Sequence, residues 1–451
     1  MSDSIEKFGY QQSLHRVLTY KDLVIYGMLF MVIIAPMSIF GYISKESHGM
    51  APLVYLVGIV CMFFTALSYM KMSRRFPVAG SVYAYVQRGI NPHVGFIAGW
   101  LILLDYVFVP SLLYILTATW CVALMPSTPF WIWVLVFIGI NTAINIRGIE
   151  YTAKMDILIF LLEVVVLLMF IVIGLLYVLN GGGTGGLSLS PFYQIGQVDI
   201  HFVATAVTIA ALSFLGFDGI STLAEETKNP EKNVGRAIMT ALLLIGAIFM
   251  LQTYVATLIQ PDYTKMDSDT AFFDAAYLAG GNWLKTLLLI INIVAVGLAN
   301  TMAAQAASSR ILFGMGRDHF LPDVLSKVHP KFKTPYISTL FIAILSTICA
   351  LSLDIEVLVK LVNFGALSSF VMLNFAVFWL FYIREKNRRG LKNLINYLVL
   401  PFVGMFILGY VWMSFDKITQ IIGFSWLIIG LIFGYIKSNG YKTVPGSFGK
   451  I

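Results

Sequence analysis

Apolar runs long enough to cross a bilayer recur along nearly the whole chain, and they decide what it can fold into. A membrane-spanning helix needs about 20 predominantly apolar residues. Such runs fall near 22–44, 51–71, 94–125, 129–146, 155–179, 201–224, 236–260, 282–308, 335–353, 356–383, 397–415 and 418–437, numbered here as spans 1 to 12. Hydrophobic residues make up 59% of the 451 and charged residues only 12%. A soluble domain carries about 25% charged residues, so this chain cannot cover a water-facing surface. The expected fold class is therefore an all-α polytopic membrane protein.

The loops set the expected orientation. One set carries Lys71, Arg74, Arg75 and Arg88, then Arg147 and Lys154, then Lys228, Lys232 and Arg236, then Arg310, Arg317, Lys327, Lys331 and Lys333, and last Arg384, Lys386, Arg388, Arg389 and Lys392. The alternate loops hold Asp262, Asp267, Asp274 and Asp354 with few basic residues. Positive loops stay in the cytosol, so both termini, the polar segment 1–21 and the tail 438–451, are expected there. The net charge of +7 lies between apolar runs, where it orients a membrane protein and does not point to nucleic acid. The segment 1–21 lacks the apolar core and cleavage site of a secretory signal. Cys61, Cys121 and Cys349 lie singly in apolar runs, which excludes a disulfide framework or a metal site of the CxxC kind. The glycine-rich stretch Gly181 to Gly186 neither follows a strand nor opens a helix, and reads as a flexible linker rather than a phosphate loop.

Two spans are interrupted in matching places. Span 1 contains Ala35-Pro36-Met37-Ser38-Ile39-Phe40-Gly41, and a proline inside a helix removes a backbone bond and crowds the preceding turn. Span 6 contains Ser213-Phe214-Leu215-Gly216-Phe217-Asp218-Gly219. Each interruption lies roughly 20 Å into its span at helical rise, yet the two spans run in opposite directions. That is the pattern of an inverted repeat, spans 1–5 (22–180) against spans 6–10 (201–384), with spans 11 and 12 (397–437) added outside it. Proline and glycine are also commoner in membrane helices than in soluble ones and often only kink them. Two interruptions in corresponding positions favour discontinuous helices at a transport site.

Carboxylates within spans sharpen this. Asp105 lies about 16 Å into span 3, Glu163 about 13 Å into span 5, and Asp218 about 10 Å from the inner end of span 6. Each costs about 2.5–3.5 kcal/mol at a span centre. Asp156 is close enough to the end of span 5 to reach water and reads as structural. The alternative for each buried acid is a protonated interhelical contact. As a group they mark a site. No buried Lys or Arg is visible to neutralise them, which leaves a small cationic substrate or a proton as the counter-charge. The six histidines (His15, His48, His93, His201, His319, His329) lie in the tail, in loops or at span ends. No HExxH, Walker A sequence or GxSxG elbow appears, so neither enzyme chemistry nor ATP-driven pumping is expected, and no cofactor or metal.

The residues also match a family. Phe214-Leu215-Gly216-Phe217-Asp218 followed by Ala224-Glu225-Glu226-Thr227-Lys228-Asn229-Pro230 resembles the span 6 signature of the amino acid–polyamine–organocation (APC) superfamily. So do Arg75-Phe76-Pro77 with Ala79-Gly80-Ser81, and Ser309-Arg310-Ile311-Leu312-Phe313-Gly314-Met315-Gly316-Arg317-Asp318 running on to Lys327-Val328-His329-Pro330-Lys331. The likeness covers essentially the whole chain and is greatest to bacterial putrescine importers. Ile90-Asn91-Pro92-His93-Val94-Gly95-Phe96, Leu104-Asp105-Tyr106-Val107-Phe108-Val109-Pro110 and Asn363-Phe364-Gly365-Ala366-Leu367 carry most of that.

The resemblance implies a five-plus-five inverted-repeat transporter in the bacterial cytoplasmic membrane. Amino acid carriers of this superfamily commonly place a GxG element in the broken part of span 1, whose amides meet the substrate carboxylate. Here Ala35-Pro36-Met37-Ser38 stands instead, which suits a cargo without a carboxylate. The expected substrate contacts are Asp218, Asp105 and Tyr106, with Phe214, Gly216, Pro36, Met37 and Ser38 shaping the pocket. Glu163 is the candidate for proton coupling, or for a cation site with Ser308 and Ser309, whose hydroxyls alternatively only cap or pack. Glu225 and Glu226 read as helix-end anchors or a cytosolic gate. The expected function is proton-driven import of putrescine or a related diamine. A proton-coupled amino acid carrier, an amine/amino acid exchanger and an amine-binding membrane sensor are the alternatives, the last with no signalling domain read after span 12.

Overall fold

The computed structural model describes residues 14–194, 196, 211, 213–268 and 270–443. The first part of span 6 with His201, most of segment 1–21 and the end of the tail lie outside the described residues, as do the side chains of residues 149–156, Lys154 and Asp156 among them.

Among the described residues nine helices are long and apolar enough to cross a membrane. They are Ala51–Arg75, Pro92–Val122, Phe130–Arg147, Ile157–Leu179, Pro230–Ile259, Asn282–Arg317, Val357–Arg384, Leu391–Met413 and Lys417–Lys437, the expected spans 2, 3, 4, 5, 7, 8, 10, 11 and 12. Span 9 is the shorter apolar helix Tyr336–Ser352. Spans 1 and 6 are the interrupted ones. Span 2 packs along span 7, span 3 along spans 8 and 10, and span 4 along span 9. Short helices Ser81–Gly89 and Ala271–Gly280 lie between spans 2 and 3 and spans 7 and 8.

Local chemistry explains the helix starts. Thr19 caps Tyr20–Phe30 in a reciprocal box with Asp22, whose carboxylate accepts from Thr19 N at 2.8 Å. Asn91 caps span 3, accepting from Val94 N at 2.9 Å, and Pro92 follows at the first helical position where its missing N–H costs nothing. Large apolar side chains such as Leu161, Val165, Leu168, Ile344 and Phe406 point outward, as lipid-facing surfaces require.

Three expectations are corrected here. The break in span 1 lies not within residues 35–41 but just before them: the helix Tyr20–Phe30 ends, Val32 takes φ 57°, and a second helix, Pro36–Glu46, begins at the proline. Pro36 starts a helix rather than interrupting one, in keeping with its fixed φ. The basic stretch around Arg310 and Arg317 is not loop, since span 8 continues to Arg317 and Arg310 is 3% exposed. A buried arginine therefore exists that the hydropathy reading did not show. The stretch Gly181 to Gly186 is no slack linker: Thr184 N donates to Leu258 O at 2.9 Å, and Gly183 lies where a Cβ would come within 2.1 Å of that carbonyl.

Candidate functional site

The two interrupted spans expose backbone at membrane depth, and neighbouring groups partly satisfy it. Gln252 of span 7 donates to Ile33 O at 2.7 Å. The break itself forms tight turns, with Ala35 N on Val32 O (2.9 Å), Met37 N on Ile34 O (2.9 Å) and Ser38 N on Ala35 O (3.2 Å). The amides of Ala35, Met37 and Ser38 are thus committed, and Pro36 has none. In span 6 the turn is made by Gly216 at φ 114°, and the chain continues as a 3-10 helix, Phe217–Glu226. Glycine is required twice over: the left-handed φ strains any side chain, and the ring of Phe30 would meet a Cβ on Gly216 at 2.9 Å and on Gly219 at 2.3 Å.

Just past this turn Asp218 is fully buried, and one oxygen collects three donors. The Tyr106 hydroxyl reaches Asp218 Oδ2 at 2.5 Å, and those of Tyr69 and Ser81 reach it at 3.3 Å each. The other oxygen, Oδ1, is buried with no hydrogen-bond partner among the described residues. Asp105, on the turn beside Tyr106, is 4% exposed and close enough for its charge to act on Asp218. Among the described residues neither acid is paired with a Lys or Arg. Span 10 packs hard against this turn of span 3, a Cβ on Gly365 falling 2.5 Å from Leu101 O and 3.2 Å from Asp105 N. The expected trio Asp218, Tyr106 and Asp105 is thus brought together.

Two members were missed. Tyr69 sits in an ordinary-looking apolar run of span 2. Ser81 was visible in the Ala79-Gly80-Ser81 stretch, and its pairing with a glycine was the available signal of a turn. Gly80 at φ 120° and Ser81 at φ 50° swing the chain back so that the serine hydroxyl points at Asp218.

Other expected residues take different places. Phe214 packs among spans 2 and 7, its ring 6.1 Å from that of Tyr55 and 5.4 Å from that of Phe249. Phe217, not Phe214, borders the acid cluster, its ring 5.7 Å from that of Tyr69. Met37 turns its sulfur to Asn292 Nδ2 at 3.4 Å. Ser38 lines a cavity of about 100 Å³ together with Phe30, Leu113, Ser213, Val296 and Asn300. Phe30 also packs edge-on against Tyr106, ring centres 6.3 Å apart, so this ring borders both the cavity and the tyrosine that holds Asp218. Glu163 is fully buried in span 5. Ser308 donates to the carbonyls of Tyr106 and Ala304, and Ser309 to that of Ala306 at 2.8 Å. These hydroxyls follow the packing alternative, and neither is bonded to Glu163.

On the side of Asp218 away from the cavity the protein is closed by charge. Arg317 holds Glu225 through two bonds of 3.0 Å, and Ala79 N donates to the same carboxylate at 3.1 Å. Arg310 holds Glu226 through both Nε and Nη2, the latter at 3.0 Å, in a pair where both partners are buried. The chain before span 1 lies over this pair: Val17 N and Leu18 N both donate to Glu226 O at 3.0 Å, and Lys228 N donates to Leu18 O at 2.8 Å. Among the described residues no group of three or more His, Cys, Asp or Glu side chains is placed to hold a metal ion.

Comparison with known proteins agrees with this architecture. The family model described as amino acid permease matches residues 26–447. The chain is 35% identical to the low-affinity putrescine importer PlaP of Escherichia coli (strain K12) over 446 residues, 98% of each protein. It is 28% identical to the methylthioribose transporter of Bacillus subtilis (strain 168), covering 96% of this chain and 95% of that one. It is 27% identical to the branched-chain amino acid permease BcaP of the same organism, covering 98% and 97%.

Proposed function

The chain belongs to the amino acid permease family of membrane transporters, and from that premise we propose that it carries putrescine or a related diamine into the bacterial cell. One observation carries the choice of cargo: Asp218 offers a buried carboxylate oxygen at the broken helix with no partner among the described residues, and no described side-chain cation is bonded to it. Such a group is costly in a low-dielectric site unless a cation or a proton answers it. The likeness to a putrescine importer supports the same reading. An amino acid would also need donors for its carboxylate, and the amides of residues 35–38 are committed or absent.

In this reading Asp218 Oδ1 takes an ammonium group, Tyr106, Tyr69 and Ser81 hold Oδ2 so that the carboxylate keeps one orientation, and Asp105 adds negative field. Gly216 supplies the turn that aims Asp218, and Ser38 stands on the cavity wall, while Pro36, Met37 and Phe214 act through packing. In this reading the Glu225–Arg317 and Glu226–Arg310 pairs form the closed cytosolic gate. Both termini are cytoplasmic, and the repeats 22–180 and 201–384 rock against each other to alternate access. Glu163 carries the coupling proton. The membrane potential assists, since each charge moved inward gains about 2.3 kcal/mol per 100 mV. The molecule works as a carrier in the lipid bilayer, with cargo and proton as its partners and no covalent chemistry.

The test is uptake of radiolabelled putrescine into proteoliposomes under an imposed inward proton gradient, with spermidine, ornithine, arginine and alanine as competitors. Gradient-dependent accumulation blocked by diamines and not by alanine is expected. Amino acid flux without putrescine flux would sink the diamine reading.

A further inference from the structure

The cavity beside the break is apolar except at Ser38, Ser213, Asn300 and the indole N–H of Trp120. Ser213 is engaged, its hydroxyl 3.3 Å from that of Tyr55. Asn300 differs: the residue is 4% exposed, and its Oδ1 is buried with no hydrogen-bond partner among the described residues. An unsatisfied buried acceptor carries the full desolvation penalty of its group, and one on a cavity wall is placed to accept from a donor that enters the cavity.

The local fold is built to keep it there. Asn300 closes a π-helical stretch, Ala295–Asn300, set into span 8 between Asn282–Val294 and Thr301–Arg317. Single π turns inside helices are rare and occur mostly where function needs a side chain redirected. This one is held from two sides: Asn141 of span 4 donates to Gly297 O at 2.8 Å, and the Thr301 hydroxyl donates to Val296 O at 2.5 Å. Gly297 fits against span 3 only because it lacks a side chain, as a Cβ would meet Thr117 at 2.5 Å. The result is that Val296 and Asn300 both reach the cavity wall.

We propose that Asn300 is a specificity-determining residue whose amide oxygen accepts an N–H from the second ammonium of the diamine, while Asp218 holds the first. The inference rests on the diamine-carrier reading and extends it to the far end of the cargo. Diamines are preferred over monoamines because the second ammonium satisfies an acceptor that a methyl group would leave orphaned. An amide carries both an acceptor and a donor, and either can be turned to the cavity. Asn300→Asp separates the two cases. It keeps the shape and the acceptor, removes the donor, and favours an ammonium while repelling a carboxylate.

The experiment compares putrescine with butylamine, which has the same carbon chain and one ammonium, as competitors of labelled putrescine uptake by the full chain in proteoliposomes. Their ratio is independent of how much active protein each preparation holds. Asn300→Leu is expected to cut the preference for putrescine about tenfold, and Asn300→Asp to keep or raise it. If a variant transports too little to measure, displacement of labelled putrescine from purified protein gives the same ratio. An unchanged ratio in Asn300→Leu, or a loss in Asn300→Asp as large as in Asn300→Leu, overturns the proposal. A wild-type protein that binds no putrescine overturns the diamine reading and this inference with it; a wild-type preference that survives Asn300→Leu overturns this inference alone.

Discussion

The hydroxyl of Tyr106 donates to Asp218 Oδ2 at 2.5 Å, tying span 3 to the turn in span 6 while leaving Asp218 Oδ1 without a partner among the described residues. A carboxylate anchored on one side and open on the other can accept a cation without reorganising its own support, which is how a preformed site keeps the cost of binding low.

Replacing Asp218 with Asn should therefore remove the counter-charge and leave the shape intact. Putrescine accumulation is expected to fall about 100-fold, the scale of losing one partner of a buried charge pair. Tyr106→Phe should cost less, about 5- to 30-fold in KM, since Tyr69 and Ser81 still hold the oxygen. Uptake in proteoliposomes measures both. Transport by Asp218→Asn at the wild-type level would mean that the cargo's charge is met elsewhere.

Glu163→Gln is expected to separate driving force from passage. Gradient-driven accumulation should be lost, while exchange of labelled for unlabelled putrescine across the same membranes persists. Loss of both activities in a folded variant would make Glu163 part of the structure and not the coupling group.

The Glu226–Arg310 pair makes a stability prediction. Arg310→Met leaves a buried carboxylate alone and should destabilise the protein by about 3–5 kcal/mol, whereas Arg310→Met combined with Glu226→Gln should recover most of the loss. Thermal unfolding of the detergent-purified variants distinguishes these. Equal destabilisation in single and double variants would mean that the packing of the arginine stem, not its charge, matters.

Gly219→Ala places a methyl group about where the Phe30 ring lies, a Cβ coming 2.3 Å from Cε1. Overpacking of this kind costs about 1–3 kcal/mol and should lower uptake, and Phe30→Leu in the same chain should restore part of it. A double-variant cycle on KM reads the coupling. Additive effects would show that the two residues do not meet during transport.

Much of this architecture is legible in the amino-acid order, because hydrophobic length and the position of basic loops are direct physical consequences of the bilayer. Asp105, Tyr106 and Asp218 stand out for the same reason: polar groups are costly there. The less legible parts depend on three-dimensional return. Pro36 marks the break but lies one turn beyond it, since proline is compatible with a helix start and the strained residue is Val32. Ser81 reaches Asp218 only because two successive residues with positive φ reverse the chain. Arg310 reads as loop by charge, yet its full pairing with Glu226 allows it to be buried. Asn300 has no marker in one dimension, since a π turn leaves no periodic signature over six residues.

The cavity wall also bears on how the protein meets its cargo. Its described lining is neutral, and Asp218 is not part of it. A dication arriving from solution is thus met first by oil-like surface and only later by charge. Long-range steering, which accelerates many encounters of opposite charges and collapses with added electrolyte, has little to act through. Entry should instead be governed by stripping water from the amine, with an encounter rate nearly indifferent to ionic strength and steeply dependent on temperature.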